Sequence, residues 1–387
     1  METSVVVAVA ISSLAAAGLG VVVACAALVF GFISLILFWW YETRRPLHLS
    51  RFKENPILEP NPAHWWESEA VFNPTALLHN GRVHLLYRAL GRDGISRIGY
   101  ASSKDGIHFD ERSPYPAYDP TFSILPDPRQ RYGPLSYDTA TYASGGGWGG
   151  SEDPRAVKLE ERVYMTFTAF EGWNSERINL TSIPIEEFER RSWVWKRASP
   201  ISPPNEVHKN WLLFPEKING RYAILHSISP NIAIEYVDDL STLEQDGVYI
   251  KSPGRAPARP INRWDAFVRG AGAAPLKTRF GWLLLYHGMN PKEGHIGYRV
   301  GVLLLDLYDP TKVLARSNAP ILEPKEWYEN DWKPNVVYAS GAVILGDDLI
   351  VYYGGGDKRI AAARANLRNF VYKLLSNEHA VLEPVGV

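Results

Sequence analysis

Five apolar strands, each ending against a polar residue, recur along this 387-residue chain. They read Val83–Tyr87, Val163–Phe167, Tyr222–His226, Trp282–Tyr286 and Leu349–Tyr353, and the residues just past them are Arg88, Thr168, Ser227, His287 and Gly354. Four follow short turns such as Asn80-Gly81 or Asn219-Gly220, with another β-rich segment before each turn. A period of about 60–80 residues, each unit a small antiparallel sheet, is the pattern left by a β-propeller. The fold expected is therefore all-β, a five-bladed β-propeller. Equivalent strand ends would gather near its axis, so Arg88 and His287 should face one cavity although far apart in sequence.

A near-repeat at the two ends supports this reading. Asn55-Pro56-Ile57-Leu58-Glu59-Pro60 returns as Ala319-Pro320-Ile321-Leu322-Glu323-Pro324, and each copy leads through Trp-containing polar residues into a strand pair. The blade cores read Phe72–Ala89, Glu152–Ala169, Asn210–Ser227, Arg269–Gly288 and Tyr338–Gly355. An insertion over Glu111–Ser151, ending in a Gly-rich run, separates the first two and has the length of a lid or binding loop.

The N-terminus is different in kind. No charged residue occurs from Ser4 to Trp40, and Trp39, Trp40 and Tyr41 precede Arg44 and Arg45. A helix needs about 20 apolar residues to cross a bilayer, so a span is expected over about 17–40. Residues 1–45 would then be a membrane anchor and residues 46–387 the catalytic domain. The basic flank after the span would place that domain in the cytoplasm, as a single-pass membrane protein. The only cysteine, Cys25, allows no disulfide within the chain and suits a reducing compartment. Net charge is −1, which offers no basic face for a nucleic-acid partner. No metal-ligand spacing, nucleophile elbow, Walker loop or dinucleotide fingerprint is present.

Among candidate reactive groups, Glu152-Asp153-Pro154-Arg155 sets an acid and a guanidinium about a rigid proline at the mouth of a strand. As a turn, Asp-Pro is common and structural. Beside a Gly-rich loop, the same residues can act as proton donor and anion clamp. Arg88, Lys209, His287 and Asp357 fall at comparable blade positions. Singly, each has a plain reading as a surface partner, a core histidine or a solvated charge. Gathered on one axis, Arg88, Arg155, Lys209 and His287 would call for an anion between them, and guanidinium matches phosphate oxygens bidentately.

At these residues the chain resembles glycoside hydrolase family 130, the β-mannoside phosphorylases and related mannosidases, from about Asn55 to Ala363. The matching pieces are Phe72-Asn73-Pro74, Leu85-Leu86-Tyr87-Arg88, Ala101-Ser102-Ser103-Lys104-Asp105-Gly106, Glu152-Asp153-Pro154-Arg155, Leu213-Phe214-Pro215-Glu216-Lys217-Ile218, Gly270-Ala271-Gly272, Tyr286-His287-Gly288 and Tyr352-Tyr353-Gly354 with Asp357. The resemblance implies a five-bladed propeller that cleaves a β-mannoside with inversion, using inorganic phosphate as co-substrate and no cofactor, and releases α-mannose 1-phosphate. It implies Asp153 as general acid, acting through a sugar hydroxyl, and Arg155, Lys209 and His287 as phosphate ligands with Arg88 beside them. Asp357 resembles the carboxylate that holds the mannosyl hydroxyls, and Asn73, Tyr298 and Glu216 are further substrate-binding candidates. One acid with several cations suits phosphorolysis, because phosphate arrives already anionic, whereas an inverting hydrolase needs a second carboxylate to activate water.

The chain departs from the family at Leu225-His226-Ser227, where phosphorylases often read Leu-His-Arg. That keeps open a β-mannosidase of the same fold, and beside it a non-catalytic carbohydrate-binding propeller. An N-terminal anchor is not typical of the family and would suit a lipid-linked or membrane-proximal substrate.

Overall fold

The computed structural model describes residues 25–37, 47–120, 146–171, 176–204, 206–253, 263–290 and 297–377. It divides into two compact units, Met1–Pro46 and Leu47–Val387. In the first, residues 25–37 form an exposed helix. At about 1.5 Å per residue it is roughly 20 Å long, against a hydrocarbon core of about 30 Å. Among the described residues no helix is long and apolar enough to cross a membrane. The expected span over 17–40 is thus corrected: it is not found among the described residues, and the rest of that range lies outside them. With it go the grounds for a membrane partner, a single-pass localisation and a cytoplasmic orientation.

The second unit is mostly β, and all five strands read from the sequence are present. Four extend beyond the residue named, with Arg88 within Arg82–Leu90, Thr168 within Arg162–Glu171, His287 within Gly281–Met289 and Gly354 within Asp348–Gly355, whereas Ser227 ends Tyr222–Ser227. Arg88, Thr168 and His287 are therefore strand residues, paired with neighbouring strands on both sides, instead of strand ends.

The strands form four sheets, of eight, three, five and four strands. Among the described residues none closes on itself, and the expected five-bladed propeller is corrected on that point. The first two units are fused into the eight-stranded sheet, because Ile95–Ser103 pairs in parallel with Gly149–Leu159 through Ile95↔Gly149 and Ser96↔Gly150. Gly150 permits this junction. Its φ is 109°, and a Cβ there would lie 2.1 Å from the Ser96 carbonyl oxygen. Of the expected Glu111–Ser151 insertion, Glu111–Arg112 joins the same sheet, whereas residues 121–145 lie outside the described residues.

Side-chain packing links the units in order. Leu86 and Tyr100 pack with Val163 and Phe167, Val157 and Leu180 with Leu213 and Ile224, Leu225 with Leu284, and Leu285 with Val337 and Tyr353. The last unit packs on the first through Val343, Ile350 and Tyr352 against Val83, Leu85 and Tyr87. The chain ends also meet in one sheet, where Ser50–Arg51 pairs with Arg359–Asn366. Arg51 then donates twice to the fully buried Glu329, which also accepts from the Tyr353 hydroxyl. Glu67 repeats the device by accepting from Tyr87 and pairing with Arg112. The two Ile-Leu-Glu-Pro copies thus each lead to a buried glutamate that locks a strand tyrosine.

Candidate active site

The first long strand of four units is broken at a similar place. Register shifts fall between Phe72 and Thr75, Glu152 and Arg155, Val268 and Gly270, and Ala339 and Gly341. A bulge leaves a residue out of the ladder and re-aims its side chain. At two of them a proline follows, supplying no N–H that the broken ladder would leave unpaired. Asn73 and Asp153 take φ of 47° and 51°, a left-handed region that Asn and Asp tolerate better than other non-glycine residues. The result is a direct contact: Asn73 Nδ2 donates to Asp153 Oδ1 at 2.8 Å. Broken strands meet elsewhere too, with Ser340 Oγ donating to the Pro74 carbonyl and Arg155 Nε to the Gly272 carbonyl.

Asp153 is only 10% exposed at its side chain, and Arg88 Nη1 lies 3.6 Å from its Oδ1. Burial pushes its pKa up, but Arg88, Arg155, Lys209 and the Asn73 amide together outweigh burial and hold it below the ordinary aspartate value. Asp153 is therefore a carboxylate at neutral pH in the unliganded protein. Arg88 is fixed by three further contacts: Nε to Ser96 Oγ at 3.0 Å, and Nη2 to the Gly146 carbonyl at 2.8 Å and Glu152 Oε1 at 2.7 Å. Lys209 Nζ sits 3.4 Å from Glu152 Oε2 and 3.5 Å from Glu176 Oε1.

Arg155 and His287 share the ring of Tyr338. His287 stacks on it at 3.9 Å between centroids and 12° between planes, and the Arg155 guanidinium lies 5.7 Å from its centroid. Tyr338 is held by its hydroxyl, which donates to Asn210 Oδ1 at 2.5 Å, and Tyr298 packs edge-on against it. Burial and the nearby Arg155 charge lower the His287 pKa to about 3. The Ala339 carbonyl is near enough to oppose that shift without meeting hydrogen-bond geometry. His287 is thus a neutral imidazole, able to donate one N–H but not a fixed cation. Arg155 Nη2, both His287 ring nitrogens and Asn73 Oδ1 are buried with no hydrogen-bond partner among the described residues. Buried polar atoms are normally paired, so a cluster of unpaired ones is suited to a polar ligand.

The structure thus gathers Asn73, Arg88, Asp153, Arg155, Lys209, His287 and Tyr298 into one set of contacts. Asp357, with φ of 53° and 8% exposed, pairs with Lys333 at 3.0 Å. It closes the segment whose Gly354 packs so tightly on Asn73 that a Cβ would fall 2.3 Å from Asn73 Oδ1. Glu216 stands apart in this respect: it is half-exposed and ion-paired with Lys277. Pattern reading also missed partners. Glu152 and Glu176 join Asp153, so three carboxylates face Arg88, Arg155 and Lys209 in place of one acid facing four cations. Tyr338 carried no signal beyond its strand pattern. Arg269, set at the third bulge, lies 5.3 Å from the Tyr298 ring. With Lys209, His226, Ser227, Ser229 and Ser252 it lines a cleft of about 60 Å³, so Ser227 borders the same region as Lys209. Among the described residues no group of three His, Cys, Asp or Glu is placed to hold a metal ion.

Comparison with known proteins agrees with the resemblance seen in the motifs. The model of glycoside hydrolase family 130, described as β-1,4-mannooligosaccharide phosphorylase, matches residues 142–375. A 1,2-β-oligomannan phosphorylase of Thermoanaerobacter sp. is 36% identical over 338 residues, covering 84% of this chain and 100% of that protein. A β-1,2-mannobiose phosphorylase of the same organism is 35% identical, covering 81% and 96%. The solved structure of a β-1,2-mannobiose phosphorylase from Listeria innocua, bound to β-1,2-mannobiose, aligns with a TM-score of 0.63 at 26% identity, covering 84% of this chain and 99% of that one. On a family match over more than half its length and a relative matched end to end, the chain belongs to glycoside hydrolase family 130.

Proposed function

We propose that this protein is a β-mannoside phosphorylase. It breaks the bond between C1 of a β-mannosyl residue and the acceptor oxygen, and joins C1 to an oxygen of inorganic phosphate from the opposite face. The products are α-mannose 1-phosphate and an acceptor sugar one residue shorter. The observation that carries this reading is the pair of buried, unsatisfied donors, Arg155 Nη2 and the His287 ring, on one tyrosine beside the carboxylate of Asp153. An oxyanion there would accept from both. Among the described residues, the carboxylates beside Asp153, Glu152 and Glu176, are both engaged by cations, whereas an inverting hydrolase requires a second carboxylate to activate water.

Asp153 serves as the acid that protonates the departing oxygen, directly or through a sugar hydroxyl. The cations that keep it ionised are the ones a phosphate would neutralise, so anion binding raises its proton affinity when the proton is needed. Asp357 and Asn73 hold mannosyl hydroxyls, with Tyr298 beside them. Arg155 and His287 contact the phosphate, Lys209 adds charge, and Arg88 orients Asp153. The linkage is β-1,2, in keeping with the names of three relatives above 30% identity. The test is to offer β-1,2- and β-1,4-mannobiose with phosphate. Faster release of mannose 1-phosphate from the β-1,2 compound is expected, and preference for β-1,4 would overturn the linkage.

A further inference from the structure

Glu152 is fully buried, is adjacent in sequence to the reacting carboxylate, and contacts two of the cations around it. The bulge between Glu152 and Arg155 separates the two acids in role. Glu152 stays in register opposite Thr168, while Asp153 is put out of the ladder. One carboxylate oxygen of Glu152 accepts from Arg88 and the other faces Lys209. Arg88 in turn reaches Asp153, and Lys209 is shared with Glu176. The charged groups around Glu152 include Arg88 from Arg82–Leu90, Lys209 from the segment before Leu212–Leu213, Glu176 at the start of Glu176–Pro184, and Asp153 next to it.

We propose that Glu152 is a positioning residue of the phosphorolytic site. Its two oxygens hold Arg88 and Lys209 at fixed distances from Asp153, and its charge tunes how strongly the site attracts phosphate. The proposal rests on the phosphorylase reading given above. Without this carboxylate the cluster would carry one more net positive charge. The anion would bind more tightly, but Asp153 would be held more firmly ionised and would less often carry the proton that the leaving group must receive. Affinity for phosphate and turnover would then move in opposite senses. A residue that merely supports the fold would not produce that split, because loosening a site weakens binding and slows turnover together.

The experiment measures kcat and the phosphate KM of the full chain with a β-mannobiose, for wild type, Glu152→Gln and Glu152→Asp. For E152Q the expected result is a phosphate KM lowered about threefold or more with kcat reduced about tenfold or more. For E152D, which keeps the charge but shortens the reach to Arg88, the phosphate KM should stay within about twofold while kcat falls about fivefold or more. A phosphate KM that is unchanged or raised in E152Q would overturn the proposal. If E152Q does not fold, a kcat for E152D within about twofold of wild type overturns it instead. Failure of the phosphorylase reading looks different: wild type itself would then cleave without phosphate.

Discussion

The Asn73 amide donates to the Asp153 carboxylate at 2.8 Å across two strand bulges, each followed by proline. This contact ties the first unit of the domain to the second at the atom assigned the proton transfer. Asp153→Asn keeps size and shape but removes the acid. Turnover should fall by about a hundredfold to ten-thousandfold, the usual worth of a positioned acid. The variant should remain folded, with the circular dichroism spectrum of wild type. Retained activity would remove Asp153 from the chemistry.

Arg155→Ala deletes the guanidinium whose Nη2 is buried and unpaired. The phosphate KM should rise about tenfold or more, given the strength of charged hydrogen bonds to phosphate. An unchanged phosphate dependence would place the anion elsewhere.

The pH dependence of stability follows from His287, whose pKa falls from 6.5 to about 3 because burial and Arg155 disfavour its charged form. The unfolded chain binds a proton as pH falls through about 6.5, and the folded protein resists doing so. Stability linked to His287 is therefore complete above about pH 6.5 and is lost progressively as pH falls toward 3. Asp153, also depressed, has the same sign in a more acidic window: its contribution is present above the ordinary aspartate range and lost as pH falls below it. Urea unfolding between pH 4 and 8 should show a shallower loss for His287→Phe, which can still stack on Tyr338, than for wild type. Equal slopes would contradict the neutral-imidazole assignment.

Gly150→Ala tests the junction that fuses two units. The added Cβ meets the Ser96 backbone at 2.1 Å in a left-handed conformation. A loss of about 2–4 kcal/mol is expected, in the range of strain at a special backbone site. A chemical denaturation midpoint unchanged from wild type would show that the parallel bridge is dispensable.

The strands were legible because alternation, turn residues and β-branched runs are local signals. The positive φ of Asn73 and Asp153 was not legible, because a residue before proline ordinarily favours extended backbone. Fusion of the first two sheets was not legible, since it depends on where Gly149 and Gly150 meet Ile95 and Ser96, some 54 residues away. The charge balance was misread for a related reason. A histidine's sequence says nothing of its burial, and Glu152 and Glu176 become counter-ions only once the chain folds. Glu216, in a matching motif, pairs with Lys277 at the surface. At the N-terminus the apolar run is real, yet composition cannot say how much of it is helical; the described residues there, 25–37, are helical.

The central claim is that phosphate, not water, takes the mannosyl group. Proton and phosphorus NMR of a reaction containing β-1,2-mannobiose and inorganic phosphate follows both fates at once. The account predicts α-mannose 1-phosphate as the first product, with no cleavage when phosphate is omitted. Free mannose appearing at the same rate with and without phosphate would contradict it.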